Sequence, residues 1–121
     1  MKDQKTTIQE LKDKFRKFAQ ERNWEQFHTA KNLSICIAAE AAELMEHFMW
    51  VPDQESAEHF EKNRQEIEHE VADIAFGLLQ FCNMNNIDLS SAIDTKMLEL
   101  EERYTIEKSY NRWSKISKPV K

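Results

Sequence analysis

Glycine occurs once in this 121-residue chain (Gly77) and proline twice (Pro52, Pro119). With so few residues that reverse a chain tightly, strands joined by turns are a poor fit and helices are favoured. Cysteine is nearly as scarce. Cys36 and Cys82 both fall in apolar stretches, where two reduced, buried thiols are expected rather than a disulfide or a metal site. No apolar run approaches the roughly 20 residues of a membrane span, and the start, MKDQKTTIQE, lacks the apolar centre of a signal peptide. A cytoplasmic protein with no membrane partner is expected. A basic excess is also missing: the net charge is −5, and Lys and Arg are dispersed except near the C-terminus. That argues against a nucleic-acid surface but still permits a nucleotide held through a metal.

What is present is helical periodicity. Residues 6–21 place Ile8, Leu11, Phe15, Phe18 and Ala19 on one helical face. A polar connection, RNWEQFHTAKN, precedes a second helix expected over about 30–50, with Thr29 as its N-cap. Pro52 ends it, and Asp53 can cap a long third helix over about 54–85, kinked near Lys62–Asn63. Asp88 caps a fourth, with Leu89, Ala92, Ile93, Met97, Leu100 and Tyr104 on its buried side. The spacing predicts an all-α protein: an antiparallel bundle of about four helices in one domain. Its core covers residues 6–106, and a basic tail follows over 107–121. With 40% hydrophobic and 32% charged residues, one chain owns a thin core, and association is expected.

Acids appear where charge is otherwise absent. In LSICIAAEAAELM (33–45) the only charged side chains are Glu40 and Glu43; in VADIAFGLLQFCNM (71–84) the only one is Asp73, with Glu70 just before it. Each pair is spaced i, i+3, which puts its carboxylates on one helical face roughly 60° apart. Carboxylates in such apolar surroundings cost several kcal/mol, roughly, unless compensated, and neither segment offers a Lys or Arg. Two carboxylates 4 Å apart repel by about 4 kcal/mol at an effective dielectric of 20. Glu40 shares a stripe with Leu33, Ile37 and Leu44, flanked by Glu43 and His47; Glu66, Glu70 and Asp73 form a second stripe, which can face the first if the two helices pack antiparallel. A divalent cation between the helices is the natural compensator. An oxygen-only set selects Mg²⁺, with Mn²⁺ as a substitute, over zinc. Glu46 and Glu66 are weaker candidates, as readily solvated acids as ligands to a second ion.

EAAE (40–43) followed by EVAD (70–73) resembles the ExxE…ExxD signature of the MazG-like all-α nucleotide pyrophosphohydrolases. RNWEQFHTAKNL (22–33) and EAAELMEHFMW (40–50) are similar to the dCTP pyrophosphatase branch and the short integron-cassette proteins; the likeness covers about residues 10–104. The resemblance implies hydrolysis of a (deoxy)nucleoside triphosphate, with dCTP favoured, to monophosphate and pyrophosphate. It implies Glu40, Glu43, Glu70 and Asp73 as Mg²⁺ ligands, with Glu43 or Glu46 activating water. Trp24, His28 and Trp50 match the nucleobase pocket, where an indole stacks on a base and His28 hydrogen-bonds its edge. Trp24 and His28 also admit purely structural roles. Lys31 and Asn32 can meet phosphate or base. Lys96, Arg103 and Tyr104 match the last helix of the family's pattern, but Leu100 stands where Asn is expected, and no Pro follows the Tyr. That departure weakens the sugar and base contacts implied there. Relatives can carry a bulky residue at Gly77, which makes room either for substrate or for a neighbouring helix. Relatives assemble as dimers or dimers of dimers, so a homotetramer is expected.

Two other readings compete. Glu25/His28 and Glu66/His69 have the ExxH spacing of di-iron carboxylate bundles, although the first lies in a connection. A non-enzymatic helical interaction module is the third.

Overall fold

The computed structural model describes residues 1–113, which contain helices and turns and no strand. The chain divides into two units, Met1–Ile87 and Asp88 onward. The first holds α1 (Ile8–Glu21), α2 (Ala30–Glu46), α3 (Ser56–Lys62) and α4 (Arg64–Met84); the second holds α5 (Leu89–Arg103) and α6 (Ile106–Ser109). The end of the expected basic tail, residues 114–121, lies outside the described residues.

The helix ends explain how a chain with one glycine turns corners. Thr7, Thr29 and Asp88 each accept a hydrogen bond from the backbone N–H three residues on, satisfying one orphan donor at the start of α1, α2 and α5. At the end of α1, Asn23 takes the left-handed conformation (φ 54°). Trp24 N–H then donates to Ala19 O at 2.9 Å and Asn23 N–H to Gln20 O at 3.0 Å. This is a Schellman closure, with Asn doing the work usually given to Gly. Asn86 (φ 53°) closes α4 the same way, Ile87 N–H donating to Cys82 O at 3.0 Å. Side chains of α1 complete that end: Arg16 Nη2 donates to Asn83 O at 2.8 Å and Lys12 Nζ to Ile87 O at 3.0 Å. Two cations thus sit at the negative end of the α4 dipole.

Two helix boundaries differ from expectation. α2 stops at Glu46 rather than Trp50, because Pro52 disfavours helix at Val51 and the chain tightens into i to i−3 bonds at Phe48 and Val51. The single long third helix is instead a 3₁₀ turn (Asp53–Glu55), α3 and α4, and Asp53 lies inside that turn rather than capping a helix. The break falls at Asn63, whose side-chain Nδ2 donates to His59 O at 3.0 Å and so competes with the helical ladder.

α4 packs on both α2 and α1. Gly77 sits where α2 and α4 meet: a Cβ there would lie 3.0 Å from Ile37 Cγ1. Its role is close helix approach, and of the two expected roles the neighbouring helix is the one observed. The core is thin, with Ala19, Leu33, Ile67, Leu79 and Cys82 the buried hydrophobic side chains among the described residues. Val71 and Leu78 are exposed, so α4 is not buried all round as its composition suggests. α5 carries no buried residue, and Ile93 and Met97, expected on its buried side, are about half exposed.

Candidate active site

The pairing of α2 with α4 brings the acids together. One carboxylate oxygen each from Glu40, Glu43 and Glu70 lies within 4.8 Å of the others, close enough for one small cation to bridge. Glu40 and Glu70 are half-buried and Glu43 is exposed. Oε2 of Glu40 and Oε2 of Glu70 are buried without a hydrogen-bond partner. Burial raises the pKa of Glu40, and Glu43, Asp73 and Glu70 raise it further. Burial likewise raises Glu70, followed by Glu43 and Asp73, against a smaller opposing effect of His47. The cluster thus concentrates negative charge and holds two orphan oxygens. A divalent ion with a preference for oxygen would satisfy both deficits, so the residues fit a divalent metal ion. Asp73 is exposed and stands outside the three-oxygen group, though its charge acts on Glu40 and Glu70. Glu46, the last residue of α2, and Glu66 are exposed and also outside it.

Beside the acids opens a cavity of about 480 Å³. Its walls are Phe15 and Phe18 of α1, Trp24, and Phe76 of α4; Glu40, Asp73, Cys36 and Lys14 supply its polar edge. The rings meet edge to face, with centroids 5.1 Å apart for Phe15–Phe76 and 5.4 Å for Phe18–Trp24. The Schellman closure of α1 is what delivers Trp24 to this wall. Cys36 is half-buried at the cavity rather than fully buried, and burial followed by Glu40, Asp73 and Glu43 raises its pKa, which keeps it a thiol. An apolar, aromatic slot beside a carboxylate cluster can hold a flat ring at one end and a cation with its anionic partner at the other.

The remaining expected residues of the first unit do not join the three-oxygen cluster. His28 sits behind the wall, edge-on to Trp24 (6.4 Å) and Phe76 (6.2 Å). Asn32 is committed locally: its Nδ2 donates to Phe27 O at 2.9 Å and pins the 3₁₀ turn Glu25–Phe27 to α2. Lys31 is exposed one residue earlier. Trp50 is 87% exposed and borders a separate groove of about 300 Å³ with Pro52, Glu55 and His59. Lys96 and Arg103, in the second unit, both pair with Glu99, and Arg103 lies 5.9 Å from the Tyr104 ring centre. No histidine joins the acid cluster among the described residues, which leaves the di-iron reading without its ligands. Sequence reading missed the aromatic role of Phe15, Phe18 and Phe76 and the buried Gln80. Gln80 was detectable by the test applied to the acids, because Gln80 and Asn83 are polar residues in an apolar run.

The MazG-like family profile matches residues 35–118. The chain belongs to the MazG-like family. Similar to this MazG-like chain are dCTP pyrophosphatase 1 of Bos taurus, 32% identical over 105 residues (85% of this chain, 62% of that protein), and its Homo sapiens counterpart, 31% identical over 100 residues (81% and 59%). The chain therefore spans about three-fifths of the length of these relatives. A crystal structure of a pyrophosphatase from Archaeoglobus fulgidus superposes with a TM-score of 0.78 at 37% identity, covering 81% of the MazG-like chain and 92% of its own.

Proposed function

We propose that this protein hydrolyses a (deoxy)nucleoside triphosphate, with dCTP preferred, to the nucleoside monophosphate and pyrophosphate in a Mg²⁺-dependent reaction. The observation that carries the reading is the convergence of Glu40, Glu43 and Glu70, two of them with buried, unpartnered oxygens, beside an aromatic cavity. The names of the relatives, dCTP pyrophosphatase and pyrophosphatase, support the same chemistry.

Glu40, Glu43, Glu70 and Asp73 would hold the ion. When bound, it supplies charge neutralisation for the triphosphate, the main electrostatic demand of phosphoryl chemistry. Glu43, exposed between its two raised neighbours, or Glu46 one turn on, orients a water and takes its proton as that water attacks in line. The bond to the leaving pyrophosphate breaks in the same displacement. Trp24 offers an indole face to the base, and the rings of Phe15, Phe18 and Phe76 exclude water from that end. Lys31, Lys96, Arg103 and Tyr104 are proposed phosphate and sugar contacts, the last three from α5 and its end.

Trp50, nearly fully exposed, suits a site completed by a second copy of the chain. With the thin core and the uncovered apolar residues of α5, it supports a homotetramer. The charge balance and the lack of a helix long and apolar enough to cross a membrane among the described residues fit a cytoplasmic role clearing unwanted nucleotides. The test is pyrophosphate release across the common ribo- and deoxyribonucleoside triphosphates with Mg²⁺ or Mn²⁺, with Glu43→Gln as control. Metal-dependent release fastest with dCTP is expected; no release from any triphosphate would overturn the reading.

A further inference from the structure

Gln80 is the largest fully buried side chain among the described residues and one of two buried polar residues there, the other being Asn83. Its hydrogen bonds can be oriented one after another from a fixed point. Asn83 Nδ2 lies 2.8 Å from the Lys12 carbonyl oxygen, which can only accept, so this end of the Asn83 amide is the nitrogen. The same NH₂ lies 3.0 Å from Gln80 and finds its oxygen, Oε1. That turns Gln80 Nε2 toward His28, whose Nδ1 is 3.2 Å away. An amide nitrogen has no lone pair to offer, so His28 Nδ1 must accept. The proton of the neutral ring is then on Nε2. Arg16 anchors the start of the chain through Asn83 O at 2.8 Å.

We infer that Gln80 is a positioning residue that locks His28 as the Nε2–H tautomer and thereby braces Trp24 and Phe76, two walls of the cavity proposed to take the base. The bearing on the base rests on the pyrophosphohydrolase reading; the lock itself does not. His28 is edge-on to Trp24 and Phe76, two walls of the cavity, so its ring is fixed on three sides by groups whose positions α1 and α4 set. A His28 ring free to turn would brace Trp24 and Phe76 less firmly and loosen the slot they form.

The experiment is ¹⁵N NMR of the histidine side chains at a pH where imidazole is neutral, with His28→Gln used to assign the resonances. In the wild-type protein, Nδ1 of His28 is expected to be pyridine-type and Nε2 pyrrole-type. Gln80→Glu, whose carboxylate can only accept, should move the proton to Nδ1. Gln80→Met should shift the Nδ1 resonance toward that of an exposed histidine. A pyrrole-type Nδ1 in the wild type would overturn the lock, and needs no variant to fold. The kinetic arm reads KM against kcat: Gln80→Met should raise KM for dCTP roughly tenfold, with kcat within about twofold. A changed tautomer with unchanged KM would overturn the bracing role. The wild-type tautomer without turnover of any triphosphate would support the lock and overturn the enzymatic reading instead.

Discussion

Glu40 occupies a core position of α2, yet it is a carboxyl group whose oxygen Oε2 has no partner. Burial and its acidic neighbours raise its pKa, so the folded state holds this proton more tightly than the unfolded chain does. By linkage, that contribution to stability is fully present below the ordinary glutamate range and is lost as pH rises through the folded-state value. In metal-free buffer, Glu40→Gln should therefore raise Tm over the wild type at neutral pH, and the gain should shrink as pH falls; thermal melts followed by circular dichroism measure it. A gain that did not depend on pH would contradict the assigned cause. In the presence of Mg²⁺, the same substitution, or Asp73→Asn, should lower turnover by roughly a hundredfold or more, because each would remove a proposed charged ligand. Unchanged rates in both variants would remove them from the metal site.

At the scale of elements, the site depends on how closely α2 approaches α4. Gly77 permits that approach, since any Cβ must displace Ile37. Gly77→Leu should cost about 1–3 kcal/mol of stability by overpacking, and the wider helix separation should weaken metal affinity. Urea melts and a Mg²⁺ titration of activity read the two effects separately. The Asn23 closure offers a cleaner test of local structure. Asn23→Ala forces a poor residue into the left-handed region and should destabilise by about 1 kcal/mol, whereas Asn23→Gly should be neutral or stabilising. The caps Thr29 and Asp88 and the break near Asn63 were legible in the sequence because side chains that bond the local backbone act over three or four residues. The early end of α2 was not, because its apolar periodicity continues to Trp50 while Pro52 acts against it from outside.

For the whole molecule, binding only to the folded state must raise stability. Saturating Mg²⁺ with dCTP at about 100 times Kd should add roughly 2.7 kcal/mol, visible as an upward thermal shift that neither component alone reproduces in full. A screen in which no triphosphate shifts the melt would favour a helical interaction module. The scattered exposed apolar side chains, Ile93 and Met97 on α5 and Trp50 after α2, predict association. Light scattering coupled to size exclusion should report a homotetramer at micromolar concentration; a compact monomer would refute it.

Residue order alone fixed the helical class, the caps Thr29 and Asp88 and the four acids that share helical faces. These follow from periodicity and from the cost of isolated charge in apolar segments, both of which act along the chain. Only the folded arrangement decided that Glu40, Glu43 and Glu70 converge while Asp73 and Glu46 stand further out. It likewise decided that Phe15, Phe18 and Phe76 enclose a cavity, and that Gln80 faces His28 across 52 positions of sequence. Those relations depend on the rotation and separation of packed helices, and a single residue such as Gly77 sets them by letting two backbones approach.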